Sequence, residues 1–289
     1  MVINNLNKSR MMSDEDFMKL KTEIKIKRIS AIKNIVKMEG WSKETEEWLV
    51  ERPTNQPSSE LNEYCNKKGP TYSFKGYRGK GIPKNCVTFY EDDMITFAER
   101  LAKNSDVKVA LLNMANPIHV GGGFMNGARA QEEQLCHRSN LFPRLKQFRW
   151  YGGYPIHEGT CLVTPNVDIL LGDGPDFTPL RKTSSVTIIS AAAKKYDKEP
   201  PFSQNLFNYL LDTWVSVLTA ADASGCTDVV VSAIGAGAFH NPPNVVGSAL
   251  SKALTFSHST SLRHVHVVIM NDHNSRNNVE RFRKGFEYN

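Results

Sequence analysis

The sequence predicts an α/β layered fold built on a mostly parallel or mixed sheet. Three observations predict it. From about residue 85 onward, short apolar runs of strand character alternate with stretches of helical periodicity, the pattern of helices packed on a sheet. Two of the apolar runs, 107–113 and 228–234, lead into glycine-rich loops, and in such sheets ligands bind beyond the carboxyl ends of the strands. Ahead of this pattern lie a lysine-rich stretch of helical periodicity and an irregular connection over 53–83, both of different character.

In order, Ser13 followed by Asp14, Glu15 and Asp16 is a good N-cap with acidic first-turn residues. Phe17, Leu20, Ile24, Ala31, Ile35 and Met38 then recur at helical spacing up to Gly40, which predicts an amphipathic helix. Lysines on its other face read best as a solvated surface. A short helix is expected after Ser42 and before Pro53, packed through Trp41 and Trp48. Residues 53–83, rich in Pro, Ser, Asn, Gly and Lys, read as an irregular connection pinned by Tyr72, Phe74 and Tyr77. Strands are then expected at 86–90, 107–113, 160–171 (one or two, interrupted by Pro165), 185–191, 228–234 and 264–270. Helices are expected at 92–102, 205–223, 243–256 and 274–286, and after Gln131.

A chain of 289 residues can bury a substantial core without disulfide or metal support. Its five cysteines form no CxxC pair, which argues for a reducing compartment and against a structural zinc site. His264 and His266 alternate in a strand and read as structural, so no metal and no cofactor are expected. The N-terminus has no apolar h-region, and no apolar run reaches membrane-spanning length. The expectation is a soluble, cytoplasmic, monomeric chain; a specialised secretion system that reads other signals is compatible with the same sequence. The formal net charge of +6 is a mild excess that reads at least as well as a solvated basic face on one helix as it does as a preference for an anionic ligand or partner.

The densest stretch runs from Gly121 to Phe142, GGGFMNGARAQEEQLCHRSNLF. Adjacent acids at a helix start are ordinarily dipole-complementing surface residues. Here they stand beside a triple-glycine loop and two asparagines, Asn113 and Asn116. Asn side chains can bond ribose hydroxyls, and a carboxyl group can serve as general acid towards a glycosidic oxygen. The second loop, Gly235-Ala236-Gly237-Ala238-Phe239, lacks both dinucleotide-binding and Walker spacing, and by itself reads equally as a phosphate cradle or a tight turn.

The run N113-M-A-N116-P-I-H-V-G-G-G resembles the N-x-x-N…GGG signature of macrodomains, which bind ADP-ribose, and its extension to QEE resembles that of the bacterial-type poly(ADP-ribose) glycohydrolases. The GAGAF loop is similar to the family's diphosphate loop. The likeness covers roughly residue 74 to the C-terminus, and the helical N-terminal region is similar to the accessory segment of bacterial members, which implies an N-terminal helical accessory segment over 1–73 and a catalytic domain over 74–289. It implies a macrodomain-like three-layer α/β/α fold with a mixed central sheet. It also implies that Glu133 is the catalytic acid, that Glu132 fixes the ribose hydroxyls and that Gln131 supports the loop. Asn113 or Asn116 would bond the distal ribose, and Gly121, Gly122, Gly123 and Phe124 would form the loop against ribose and diphosphate. Gly235 to Phe239 would wrap the diphosphate through backbone N–H groups, with Phe239 on the ligand. Cleavage of a ribosyl bond passes through an oxocarbenium-like state that needs a protonated carboxyl at the leaving atom and then a base for water. Like-charge repulsion between adjacent glutamates and partial burial raise a carboxyl pKa, which lets one Glu do both.

Asn116, His119-Val120 and the aromatic segment 144–154 depart from the usual pattern of these glycohydrolases and leave the leaving group open. Two substrates stand: poly(ADP-ribose), or single ADP-ribose groups on protein side chains such as arginine. Relatives specialised for the latter include effectors that intracellular bacteria send into host cells. The rival reading is a catalytically silent ADP-ribose reader, against which the intact Gln131-Glu132-Glu133 argues. A nucleic-acid-binding module is weaker, because the basic helix has no stacking aromatics among its lysines. The expected partner is ADP-ribose or an ADP-ribosylated protein, with neither nucleic acid nor membrane required.

Overall fold

A computed structural model describes residues 35–50, 56–126, 128–174, 177–196, 203–257, 259–270 and 277–288. Most of the expected first helix therefore lies outside the described residues. Its end, 35–39, is helical and stops at Gly40, whose φ of 69° suits glycine.

The strands are β1 (Tyr72–Lys75), β2 (Val87–Tyr90), β3 (Val109–Met114), β4 (Thr160–Leu171), β5 (Pro179–Ala191), β6 (Asp228–Val231) and β7 (His264–Val268). They form one sheet in the order β1-β4-β5-β3-β6-β7-β2. The five strands from β5 to β2 are mutually parallel, and β4 and β1 add on antiparallel. The sheet is mixed, as expected. The helices are α1 (Lys43–Val50), α2 (Ser59–Lys68), α3 (Met94–Leu101), α4 (Gln131–Arg138), α5 (Leu141–Trp150), α6 (Gln204–Ala223), α7 (Pro243–Phe256) and α8 (Asn278–Glu287). α6, α7 and α8 pack in sequence on one another, while α3, α4 and α5 pack on β3, β4 and β5. No helix among the described residues is long and apolar enough to cross a membrane.

Local chemistry accounts for the main elements. β3, VALLNM, is buried along nearly its whole length, as a central parallel strand must be. β4 is one strand, not two: the ladder slips between Thr164 and Val167, where Pro165 has no N–H to donate and Asn166 takes φ 52°. β5 begins six residues earlier than its apolar run, because pairing with β4 carries the polar residues before Ser185. β6 and β7 stop at Val231 and Val268, short of their apolar runs. α3 starts at an N-cap, Asp93, whose side chain accepts the Thr96 N–H.

The stretch expected to be irregular, 53–83, contains α2 and β1. α2 is polar but for its buried Leu61 and Cys65, so its periodicity was weak; Ser58 caps it by accepting the Leu61 N–H. Tyr72 and Tyr77, expected to pin this stretch, are exposed, and Phe74 alone of the three packs on the core. The aromatic segment after Arg144 is the second half of α5 and the turn beyond it. β1 spans the position at which the sequence was divided, so the accessory segment enters the sheet through its own last residues.

Two apolar clusters result. The larger fills both sides of the sheet around residues such as Leu111, Ile188, Trp214 and Val230. The smaller joins Ile35, Val36, Trp41, Trp48, Leu61 and Cys65 of the accessory segment to Phe124, Cys136, Phe142, Leu170, Leu171 and Phe177. A buried guanidinium reinforces this seam. Arg144 donates to the carbonyls of Gly69, Pro165 and Asn166. Beside it, Asn140 donates to Glu39 Oε1, Tyr64 Oη and Asp168 Oδ2, and Lys68 pairs with Asp168 at 2.5 Å.

Arg144→Ala removes a buried guanidinium that donates to all three carbonyls and leaves the half-buried Gly69 and Pro165 carbonyls without that donor. We expect a loss of about 3 kcal/mol in unfolding free energy, read from urea or thermal denaturation.

Candidate active site

The site is built where β3 ends. The carboxamide of Gln131, the first residue of α4, lies along the strand: its Oε1 accepts the Met114 N–H at 2.8 Å and its Nε2 donates to the Leu112 carbonyl at 3.0 Å. A side chain thus continues the ladder and fixes the start of α4 against the strand. The two acids of the first turn follow at once.

Glu132 is 3% exposed. Its Oε2 accepts the Asn116 N–H at 2.8 Å, and its Oε1 lies 3.5 Å from Asn113 Nδ2, which also donates to Ser190 Oγ at 3.0 Å. Burial pushes its carboxyl up to about 8, with the neighbouring Glu133 adding to the rise and the Asn116 N–H opposing it. Glu132 therefore holds its proton at neutral pH. Glu133 is 5% exposed and differs in its contacts. Its Oε1 accepts the Gly123 N–H at 2.7 Å, while its Oε2 is buried with no hydrogen-bond partner among the described residues. A buried carboxyl oxygen without a partner is an exception that needs a reason, and a substrate atom supplies one.

The glycine arch exists to let these acids approach. Gly122 has φ 56°, and a Cβ there would stand 2.6 Å from Glu133 Oε1 and 2.9 Å from Glu132 Oε2. Before the arch, Asn116 Oδ1 accepts the N–H groups of Ile118 and His119 at 2.9 Å each, so this side chain shapes the loop as an Asx turn.

The second loop follows β6. Gly235 has φ 73°, and a Cβ would meet Asn241 Nδ2 at 2.4 Å. That amide donates to the carbonyls of Lys194, Gly235 and Phe239 at 2.9, 3.2 and 3.3 Å. The Asn241 N–H also bonds the Gly235 carbonyl at 2.9 Å, and the Tyr196 N–H bonds that of Phe239 at 2.8 Å. Asn241 therefore closes the loop at its base and ties it to the segment after β5.

Both loops face one cleft of about 780 Å³, a size suited to a nucleotide-like ligand. Asn116, Gly122, Gly123, Gln131, Glu132, Glu133 and all of Gly235 to Phe239 line it. Three sequence-predicted residues do not. Asn113 is fully buried behind Glu132. Gly121 packs under Phe142 and Cys136. Phe124 is 1% exposed and sits in the smaller apolar cluster against the rings of His137 and Phe142. The apolar cluster claims Phe124 because its neighbours on α4 and α5 are apolar on that side.

Sequence reasoning missed Asn241, Ser190 and Arg129. Asn241 follows the GAGAF loop and precedes two prolines, a place where a short amide closes turns. Ser190 is a polar break in an apolar strand. His266, read as structural, hydrogen-bonds Asp228 at 2.8 Å and Thr88 at 3.2 Å and so links β6, β7 and β2.

Two outcomes follow from this geometry. Gly122→Ala should lower turnover by at least about a hundredfold, because the arch must shift away from both acids. Glu132 makes stability depend on pH in a stated direction. Its folded pKa lies above the ordinary carboxylate value, so between about pH 4.5 and 8 the native state binds more protons than the unfolded one. That contribution is present in full below this window and is lost as pH rises through about 8. Glu132→Gln removes it, so the melting temperature of this variant, taken relative to the parent, should climb by several degrees from pH 5 to pH 8.

Residues 24–166 match the family model described as the microbial-type PARG catalytic domain, PARG standing for poly(ADP-ribose) glycohydrolase. No curated protein matches the chain by sequence. Among solved structures, the poly(ADP-ribose) glycohydrolase of Thermomonospora curvata superposes with a TM-score of 0.64 at 21% identity, over 90% of this chain and 98% of that one. The enzyme of Deinococcus radiodurans in complex with ADP-ribose superposes with a TM-score of 0.63 at 23% identity, over 80% of this chain and 98% of that one. These structures share the layered α/β architecture described above. The stretch that resembles the microbial-type PARG catalytic domain, residues 24–166, is the one that holds both glutamates and the glycine arch.

Proposed function

We propose that this chain hydrolyses the ribosyl bond between units of poly(ADP-ribose) and releases ADP-ribose, with Glu133 as acid and then base. The observation that carries the reading is the Glu133 carboxyl group. One oxygen is tethered to the Gly123 N–H, and the other is buried in the cleft wall with no partner among the described residues. A group so placed can meet the bridging oxygen of a bound ribosyl bond, protonate it, and then draw the proton from an attacking water. The family match and the ADP-ribose bound to the Deinococcus enzyme support the same substrate class.

The remaining roles follow from position. Glu132 keeps its proton and presents a donor beside the ribose, held by the Asn116 N–H and by Asn113. Asn113 therefore acts on Glu132 and not directly on the ligand. Asn116 lines the cleft and retains the ribose assignment. The 235–239 loop takes the diphosphate through its backbone, and Phe239 packs on the ligand. Gly121 and Phe124 hold the arch from behind. Residues 1–73 serve as an accessory segment, helical over 35–39, 43–50 and 59–68, to a catalytic domain over 74–289. Both loops and both acids come from one chain, so a monomer suffices.

A reader of ADP-ribose needs the loops but has no use for an unpartnered carboxyl at the ribose end. Glu133→Gln separates the two readings. Release of ADP-ribose from purified polymer should fall by about a thousandfold, while ADP-ribose should still raise the melting temperature of the variant. A variant that keeps full activity removes Glu133 from the mechanism, and a parent protein that releases nothing from polymer or from arginine- or serine-linked peptides is a reader.

A further inference from the structure

The polymer reading leaves one cleft side chain unused. Arg129 lines the cleft, and it is the only arginine or lysine among the described residues that do. Its side chain is exposed, and it makes no ion pair with Glu132 or Glu133, the acids three and four positions on.

The backbone on either side of Arg129 is fixed to the acid side of the cleft. The Ala128 N–H bonds the Gly123 carbonyl at 3.2 Å, and Ala128 lies so close over Gly123 that a Cβ on the glycine would meet it at 2.5 Å. Two residues after Arg129, the Gln131 carboxamide is locked to β3. The proposed diphosphate loop belongs to another strand, β6, and is anchored by Asn241. The guanidinium is thus carried on the wall from which Glu133 protonates the leaving atom.

The possible leaving groups differ in charge. In the polymer, the leaving oxygen belongs to a ribose that itself bears a diphosphate, an anion that a guanidinium can hold with paired hydrogen bonds. A serine-linked group leaves a neutral hydroxyl. An arginine-linked group leaves a second guanidine, which becomes a like charge when protonated and is repelled.

We infer that Arg129 is a specificity-determining residue that binds the diphosphate of the departing ADP-ribose unit, on the leaving-group side of the scissile bond. It selects polymer over arginine-linked single ADP-ribose. The inference rests on the glycohydrolase reading above.

The test compares the full chain with Arg129→Gln and Arg129→Lys on purified poly(ADP-ribose), with ADP-ribose affinity measured alongside by calorimetry. Arg129→Gln should raise KM for polymer about tenfold and move kcat by less than about twofold. Arg129→Lys should recover part of the loss. ADP-ribose affinity should be the same in all three proteins, and the KM difference should shrink as salt rises from about 0.05 to about 0.5 M. An active parent with an unchanged KM in Arg129→Gln overturns this inference alone. Equal losses in polymer KM and in ADP-ribose affinity also overturn it, because they place Arg129 on the retained diphosphate. A parent that releases no ADP-ribose from polymer overturns the glycohydrolase reading and, with it, this one.

Discussion

The carboxamide of Gln131 is the constraint on which the rest of the site depends. It joins a helix to a strand through the strand's own hydrogen-bonding groups, at 2.8 and 3.0 Å. Met114 and Gln131 stand 17 positions apart, yet they are held as if they were neighbours in a ladder. Both acids of the proposed mechanism are then counted from that joint. Glu132 falls beneath the loop, where Asn116 and Asn113 reach it, and Glu133 falls beside the arch, where Gly123 reaches it. Geometry of this kind has to be held to fractions of an ångström to matter for a reaction, and a rigid strand is a better reference than a loop.

The two glutamates show how neighbours of one residue type acquire different duties. Both are more than nine-tenths buried. Glu132 has donors at both oxygens and keeps its proton because burial outweighs those donors. Glu133 has a donor at one oxygen and empty polar capacity at the other. Hydrogen-bond partners, rather than position in the motif alone, divide the labour. The glycines make this division possible, since a methyl group at Gly122 would occupy the space that the two carboxylates share.

Much of this was legible in the sequence, and the reasons are physical. The central strands are buried on both faces, so β3, β5 and β6 read as apolar runs. The glycines and paired acids stand out because few other contexts tolerate them together. What escaped were features whose residues look ordinary until they are folded. α2 buries only Leu61 and Cys65 and shows little periodicity. β1 owes its existence to β4, which supplies the ladder. Phe124 follows the glycines and reads as a ligand contact, but its neighbours in space are His137 and Phe142. Asn241 and Ser190 act through contacts with residues distant in sequence, 47 and 77 positions away, and no local pattern reports such contacts.

The smaller apolar cluster has a consequence for how the chain can be cut or inherited. Trp41, Trp48 and Leu61 share one apolar cluster with Cys136, on the helix that carries the acids, and with Phe142, on the helix after it. A fragment starting near residue 74 would keep every residue that faces the ligand and would still present an oily back to water. The accessory segment therefore travels with the catalytic machinery as part of one solubility unit. A recombination that swapped it for a stranger would be screened first by whether the new segment covered Phe142, and only afterwards by chemistry.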